Sequence, residues 1–302
     1  MKVHLPTRTF PVIFIFLFSV TIGMYQSVSV ASEPNDTTIE TGQKDSKTIS
    51  DFNLPLQKHS LEIGSEIYHF NYKEPGGISD KGMFYGGILN YTYRGWVPDS
   101  PTSPLPDGGS SLRAEFRFAT GDADYDGSLS DGTPYTVDNI GYNTYETRFL
   151  CGMDFVDEDW LASLSAGIGY RYSNDDSSFD PYGYERESNY LYLPVSYQLD
   201  GKYENNWAWG FETELDFLIQ GLQKSYLSDV GDVDIENKQN DGFGLRASFR
   251  LQKKTNTGVL IIEPFVRYWS IEDSEYEYVE PYYYWEPKNS TTEIGLQLQW
   301  KF

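Results

Sequence analysis

The chain has 302 residues and a formal net charge of −22, with 17% aromatic residues, 27 glycines and a single cysteine. A surface this acidic repels nucleic acid, whose binders neutralise phosphates with basic side chains, and instead attracts cations or basic partners. Cys151 has no second thiol, so a disulfide framework is excluded.

Lys2 and Arg8 precede a short apolar run over residues 11–20, and Ser29 and Ala31 place small residues at −3 and −1 of a cleavage site. This pattern predicts a secretory signal peptide over residues 1–31; the run is well short of the ~20 residues of a spanning helix. Lys2 and Arg8 are the only charges in that stretch, so the remaining chain carries −24. Residues 32–58 open polar and acidic and are expected to form a flexible periplasmic lead-in to a barrel over residues 59–302.

From Leu61 onward, apolar and polar residues alternate with the period of a strand. Leu61, Ile63 and Ile67 oppose Glu62, Gly64, Glu66 and Tyr68, and residues 74–77 make a turn. The second segment, 82–94, sets Met83, Tyr85, Leu89, Tyr91 and Tyr93 against Asn90, Thr92 and Arg94, and the Pro- and Gly-rich stretch 95–110 connects it onward. The third, 112–120, opposes Leu112, Ala114, Phe116 and Phe118 to Arg113, Glu115 and Arg117, before an acidic loop over 121–143. The fourth, 144–156, opposes Tyr145, Phe149, Cys151, Met153 and Phe155 to Glu146, Arg148 and Asp154. The fifth, 160–172, sets Leu164, Ala166 and Ile168 against Ser163, Gly167 and Arg171, with an acidic loop over 173–186. The sixth, 188–199, opposes Leu191, Leu193, Val195 and Tyr197 to Tyr190, Tyr192, Ser196 and Gln198. The seventh, 206–220, opposes Trp207, Trp209, Phe211, Leu215, Phe217 and Ile219 to Glu212, Glu214, Asp216 and Gln220, followed by a polar loop over 221–240. The eighth, 242–253, turns Arg246 and Arg250 away from Phe243, Leu245, Phe249 and Leu251; the ninth, 259–272, does the same with Glu263 and Arg267; a loop rich in Glu and Tyr, 273–289, follows. The tenth, 291–302, sets Ile294, Leu296, Leu298, Trp300 and Phe302 against Glu293, Gln297, Gln299 and Lys301.

Ten such segments, with long loops mostly alternating with short turns, predict an all-β fold: a closed antiparallel transmembrane β-barrel of ten strands. Closure is required because lipid offers backbone groups no hydrogen bonds, and strands of ~9–11 residues suffice to span. Trp96, Trp160, Trp207 and Trp300 fall near the short-turn ends, where an interfacial girdle belongs. The final strand, ending in Trp300-Lys301-Phe302, also resembles the C-terminal signature of bacterial outer-membrane β-barrels. That resemblance implies an outer-membrane location among lipids and lipopolysaccharide, with Trp300 and Phe302 read by the barrel-assembly machinery.

Several inward charges, Glu62, Glu66, Arg113, Arg117, Glu212, Glu214, Asp216, Arg246, Arg250, Glu263 and Arg267, are of mixed sign. A ten-stranded barrel is little wider than those that side chains fill, so opposed charges can pair across the bore. The expectation is a plugged polar lumen serving a structural or surface-binding role. The alternative is a narrow channel for ions or small solutes; open porins need about 16–18 strands.

Asp122, Asp124 and Asp126, followed by Gly127, match the first half of a calcium loop, although its twelfth position holds Thr133 instead of a bidentate Glu. Even weak Ca2+ binding there would bridge to lipopolysaccharide; no cofactor is otherwise required. The ten strands, long outer loops and Asp124/Asp126 pair resemble the omptin family of outer-membrane proteases. In that family such a pair faces an Asp-x-His pair. Here the corresponding loop has Asp232-Val233-Asp234 without His, and the histidines are His4, His59 and His69. Without an imidazole to activate water the mechanism lacks its base, so the architecture carries over and the enzyme activity does not. Tyr276, Tyr278, Tyr282, Tyr283, Tyr284 and Trp285, interspersed with Glu, suit a surface that binds a basic ligand.

Overall fold

The computed structural model describes residues 47–48, 53–100, 102–129 and 132–302. The expected signal peptide and most of the expected lead-in lie outside the described residues. The strands are β1 (His59–Lys73), β2 (Ser79–Arg94), β3 (Gly108–Ser128), β4 (Pro134–Val156), β5 (Trp160–Asp176), β6 (Glu185–Gly201), β7 (Trp207–Ser225), β8 (Ile235–Gln239), β9 (Gly242–Lys254), β10 (Val259–Ile271), β11 (Glu277–Val279), β12 (Tyr282–Tyr284) and β13 (Asn289–Lys301). Ten of these form an antiparallel ring. β1 to β7 pair in order, β7 pairs β9, β9 pairs β10, β10 pairs β13, and β13 closes on β1 from Glu62–Lys301 to Lys73–Ser290. β8 extends the sheet beside the outer part of β7, and β11 and β12 form a separate hairpin.

The ring is inside-out relative to a soluble core. Ile63, Tyr85, Phe116, Phe149, Leu164, Phe217, Leu245 and Leu298 are exposed on its outside, while Glu66, Arg117, Glu146, Asp216, Arg267 and Glu293 are buried inside. An apolar belt of this extent is stable only against an apolar surrounding. Trp160, Trp207 and Trp209 are exposed at the short-turn end of the belt. Trp96 is not part of that girdle: its indole Nε1–H donates to the buried Asp154 carboxylate at 3.0 Å. A polar partner at the bore outcompetes the interface for this residue.

The strands run further than their alternation of apolar and polar residues. β3 and β4 have 21 and 23 residues, about twice what a membrane needs. The acidic loop expected over 121–143 is therefore mostly a protruding hairpin, and the loops over 173–186 and 221–240 are likewise shortened by β5, β6, β7 and β8. This corrects the calcium turn. Asp122, Asp124 and Asp126 are exposed residues of β3, with Ala123 buried between them. Alternate strand positions stand about 7 Å apart, too far to converge as a calcium turn does. Asp124 Oδ1 instead accepts the Asn139 backbone N–H at 3.0 Å. A register shift at Leu191/Tyr192 breaks the parity of β7, so Leu218 lies opposite Tyr192 and Gln220, expected inside, is exposed.

The connection between β2 and β3 lies at the short-turn end, as strand parity requires. There Leu105 N–H donates to Lys47 O at 2.9 Å, Arg94 N–H to Lys58 O at 2.8 Å and Tyr203 N–H to Asn53 O at 2.6 Å. Leu54 and Pro55 are buried, so residues 53–58 are seated against this end of the barrel.

Gly295 of β13 faces Tyr68 of β1 at the closing seam, and a Cβ there would collide with the Ile67 carbonyl oxygen and Tyr68 Cβ. Gly295→Val is expected to cost about 1–3 kcal/mol through overpacking, read as a lower urea midpoint for the detergent-folded barrel.

Candidate functional site: the charged bore and its outer mouth

Alternation places one residue in two of every strand inside the ring, and here many of those residues are Arg, Glu and Asp. Near the short-turn end, Asp154 accepts from Arg94 Nε at 3.0 Å, Ser163 at 2.6 Å and Ser111 at 3.2 Å. Arg250 reaches Glu62 at 2.8 Å and Glu263 at 3.4 Å, and Lys301 lies 3.6 Å from Glu62. Above them Arg113 pairs with Glu115 and Glu212, both at 2.7 Å, and Arg148 bridges Glu115 and Glu214. Arg246 joins Glu146, Glu214 at 3.1 Å and Asp216 at 2.9 Å. At the top of this stack Glu293, 1% exposed, takes Arg117 and Arg171 at 2.8 Å each and Arg267 at 3.0 Å. Arg267 also reaches Glu66 at 2.9 Å, and Arg117 contacts Glu66 as well.

All eleven inward charges singled out from the sequence thus lie in the bore, each in at least one ion pair. Planar guanidinium groups suit this arrangement, because one fork can satisfy two carboxylates. The bore holds a cavity of about 110 Å3 lined by Arg117 and Arg267, and another of about 40 Å3 lined by Arg171. Glu293 bonds all three arginines, so its cluster lies between the two spaces. The smaller has room for only a few waters and the larger for about ten at most.

Two features had no counterpart in the sequence reading. Inside the barrel, toward the loop end, Tyr68, Phe70, Phe84, Tyr142 and Phe265 form an aromatic core, with Phe70 and Phe84 ring centroids 4.7 Å apart. Phe84 falls between the outward Met83 and Tyr85, so parity alone could have placed it inside. At the outer mouth, Arg186 is shared by Asp175 at 2.9 Å, Asp80 at 3.4 Å and Glu74 at 3.5 Å, with Glu286 buried nearby. Burial pushes Asp175 up to about 6 and Glu286 up to about 8, against the opposing pull of Arg186. Burial raises Asp80 too.

The aromatic segment is a hairpin beyond the mouth. Tyr276, Tyr278, Tyr282, Tyr283 and Trp285 are exposed; Tyr284 is half-buried and donates its hydroxyl to Asp232 at 3.0 Å. Tyr278 packs on Tyr283 and Tyr276 on Trp285. At the final strand Phe302 is exposed, and its N–H donates to Leu61 O at 2.9 Å. His59 and His69 are exposed on β1, and His59 Nδ1 lies 2.8 Å from the Tyr91 hydroxyl. Among the described residues, no group of three or more His, Cys, Asp or Glu is arranged to hold a metal.

No protein-family model and no curated protein matches the chain. Among solved structures it is similar to the translocator domain of the autotransporter NalP from Neisseria meningitidis, at 11% identity and a TM-score of 0.39, covering 82% of this chain and 91% of that one. It is similar to Neisserial surface protein A at 11% and 0.34, covering 80% and 97%. It is also similar to the Pseudomonas putida toluene transporter TodX at 9% and 0.35, covering 82% and 90%. The ten-stranded closed barrel itself rests on the chain's own strand pairings.

Glu293→Ala would leave three buried arginines short of an anion, and Arg171 has no other ion pair among the described residues. The expected loss is about 3–5 kcal/mol, measured by urea unfolding in detergent.

Proposed function

We propose that the protein is an outer-membrane barrel whose filled bore acts as a rigid scaffold, and whose outer hairpins bind a basic surface ligand. The observation that carries the scaffold reading is the Glu293 cluster, in which one carboxylate gathers guanidinium groups from β3, β5 and β10. Moving a solute past it would require separating several buried ion pairs, each costly to break. The outer-membrane location is supported by the signal-like leader, the apolar belt and the aromatic-ended final strand. The binding reading is supported by the exposed tyrosines and Trp285 beside Glu275, Glu277 and Glu280: aromatic rings supply contact area at low entropic cost, and the acids select positive charge.

Hydrolase activity is not part of this proposal. His59 and His69 sit on β1, while Asp232 and Asp234 are engaged near the β8 hairpin, accepting from Val233 N–H and Ser228 N–H respectively.

Two measurements test the reading. In planar bilayers the purified protein is expected to insert without unitary conductance; stable channels from the wild-type chain would make it a pore. Replacing Tyr282, Tyr283 and Trp285 by Ala is expected to weaken retention on a polylysine surface by about 1–3 kcal/mol, a tenfold change being 1.4 kcal/mol. The urea midpoint should stay unchanged. Undiminished retention would remove the hairpin from the binding surface.

A further inference from the structure

Glu286 is an anomaly among the acids of this barrel. It is only 7% exposed, it makes no ion pair among the described residues, and its Oε1 has no hydrogen-bond partner. A buried ionised carboxylate in that position would lose its hydration with only the pull of the already shared Arg186 in return. Its surroundings make ionisation harder. Glu74 from the β1–β2 turn and Asp175 from β5 face it with like charge, and the nearby cation, Arg186 of β6, is already shared by Asp175, Asp80 and Glu74. Tyr72 of β1, with Tyr184 and Tyr190 on the β6 side, also feels its charge. On its own segment Asp273, Glu275 and Lys288 are exposed, as are Glu236 and Lys238 of β8.

Glu286 also stands at a mechanically useful place. Its backbone N–H donates to Ser274 Oγ at 2.7 Å, and Ser274 N–H donates back to Glu286 O at 2.9 Å. These two bonds clamp the base of the segment that carries β11, β12 and the exposed rings. The segment is further attached to β8 and its flanks: Glu275 N–H donates to Lys238 O at 2.8 Å, Asn240 Nδ2 to Glu275 Oε1 at 2.8 Å, the buried Asn237 Nδ2 to Glu275 O and Tyr284 O at 3.4 Å each, and Tyr284 to Asp232, none of which involves the Glu286 carboxyl.

We propose that Glu286 is a proton-operated latch: uncharged, it seats the base of the aromatic hairpin in the barrel mouth, and on ionisation it leaves the mouth and frees the hairpin. The sign follows from the direction of its shift. The seated carboxyl is held above its ordinary value of 4.5, at about 8, by burial first and by Glu74 and Asp175 next. Seating is therefore strongest below pH 4.5, weakens as the pH rises, and has lost the contribution of this group above about 8. Asp175 of β5, raised to about 6 mainly by burial, titrates below the window used for the test.

The test uses hydrogen exchange on the full-length protein in lipid nanodiscs between about pH 6.5 and 9, above the Asp175 step, corrected for intrinsic exchange. The slope comes from proton linkage, at most tenfold in the opening constant per pH unit. Peptides covering residues 275–286 should show opening that rises with pH toward that limit and levels off past about 8. Glu286→Gln, a neutral isostere of the protonated form, should remove the slope and keep the hairpin protected at pH 9. Glu74→Gln removes a like charge beside Glu286, so it should keep the slope and bring the levelling-off to lower pH. A wild-type slope in Glu286→Gln overturns the latch, and so does an unmoved transition in Glu74→Gln. Neither readout involves a ligand, so the latch and the proposed binding role of the hairpin fail independently.

Discussion

The contact on which the rest depends is the guanidinium–carboxylate pair buried inside a ring of ten strands. Burying two charges is expensive, and their attraction at best offsets that cost. These pairs are therefore better understood by what their absence would do. Sliding one strand by a single residue would turn its charges into lipid and its apolar residues into the bore. Each abandoned partner would then be a buried charge without a counter-ion. The interior thus penalises wrong registers more than it rewards the right one, which suits a barrel whose outer face, largely apolar, has little to say about register.

The filling changes along the axis. Charges occupy the bore from the short-turn end up to the Glu293 cluster, and an aromatic core around Phe84 and Tyr142 occupies much of the region beyond. The charged part holds the larger cavity and the aromatic region borders the smaller one, packing more nearly like an ordinary protein interior. Arg117 lies 4.8 Å from the Tyr68 ring centroid and so joins the two regimes through a cation–π contact. The hairpins that protrude from the loop end rest on this packed region and can extend beyond the membrane without becoming slack.

Much of this was legible in sequence because a single physical contrast, lipid against charged lumen, repeats on every strand. The ten staves, the inward set from Glu62 to Arg267 and the side of the 95–110 connection follow from parity alone. Legibility ended where the contrast ended. Beyond the belt the outward face of β3 turns acidic while its inner face carries Ala123, so Asp122, Asp124 and Asp126 read as a loop although the backbone remains paired. The bulge at Leu191/Tyr192 leaves no period to detect, and Gln220 was placed on the wrong face. The Arg186 cluster was invisible for another reason: Glu74 and Asp80, Asp175, and Glu286 lie in stretches far apart in the chain, and no local pattern says that these stretches meet. Trp96 misled because an indole satisfies an interface and a buried carboxylate equally well.

The seam between β1 and β13 is a long-range contact of the ring. It joins the first and last staves, and bonds such as Gln297 to Glu66 connect residues 231 apart in the chain. Contacts of that separation form late, after loop-closure entropy has been overcome. Until then most arginines of the bore lack their cross-barrel acids, but an unclosed sheet leaves that face open to water, where charge is no burden. The mixed charge that plugs the finished barrel therefore also keeps one side of the unfinished one hydrated, so that a chain with a greasy opposite face can remain unaggregated until its last strand arrives.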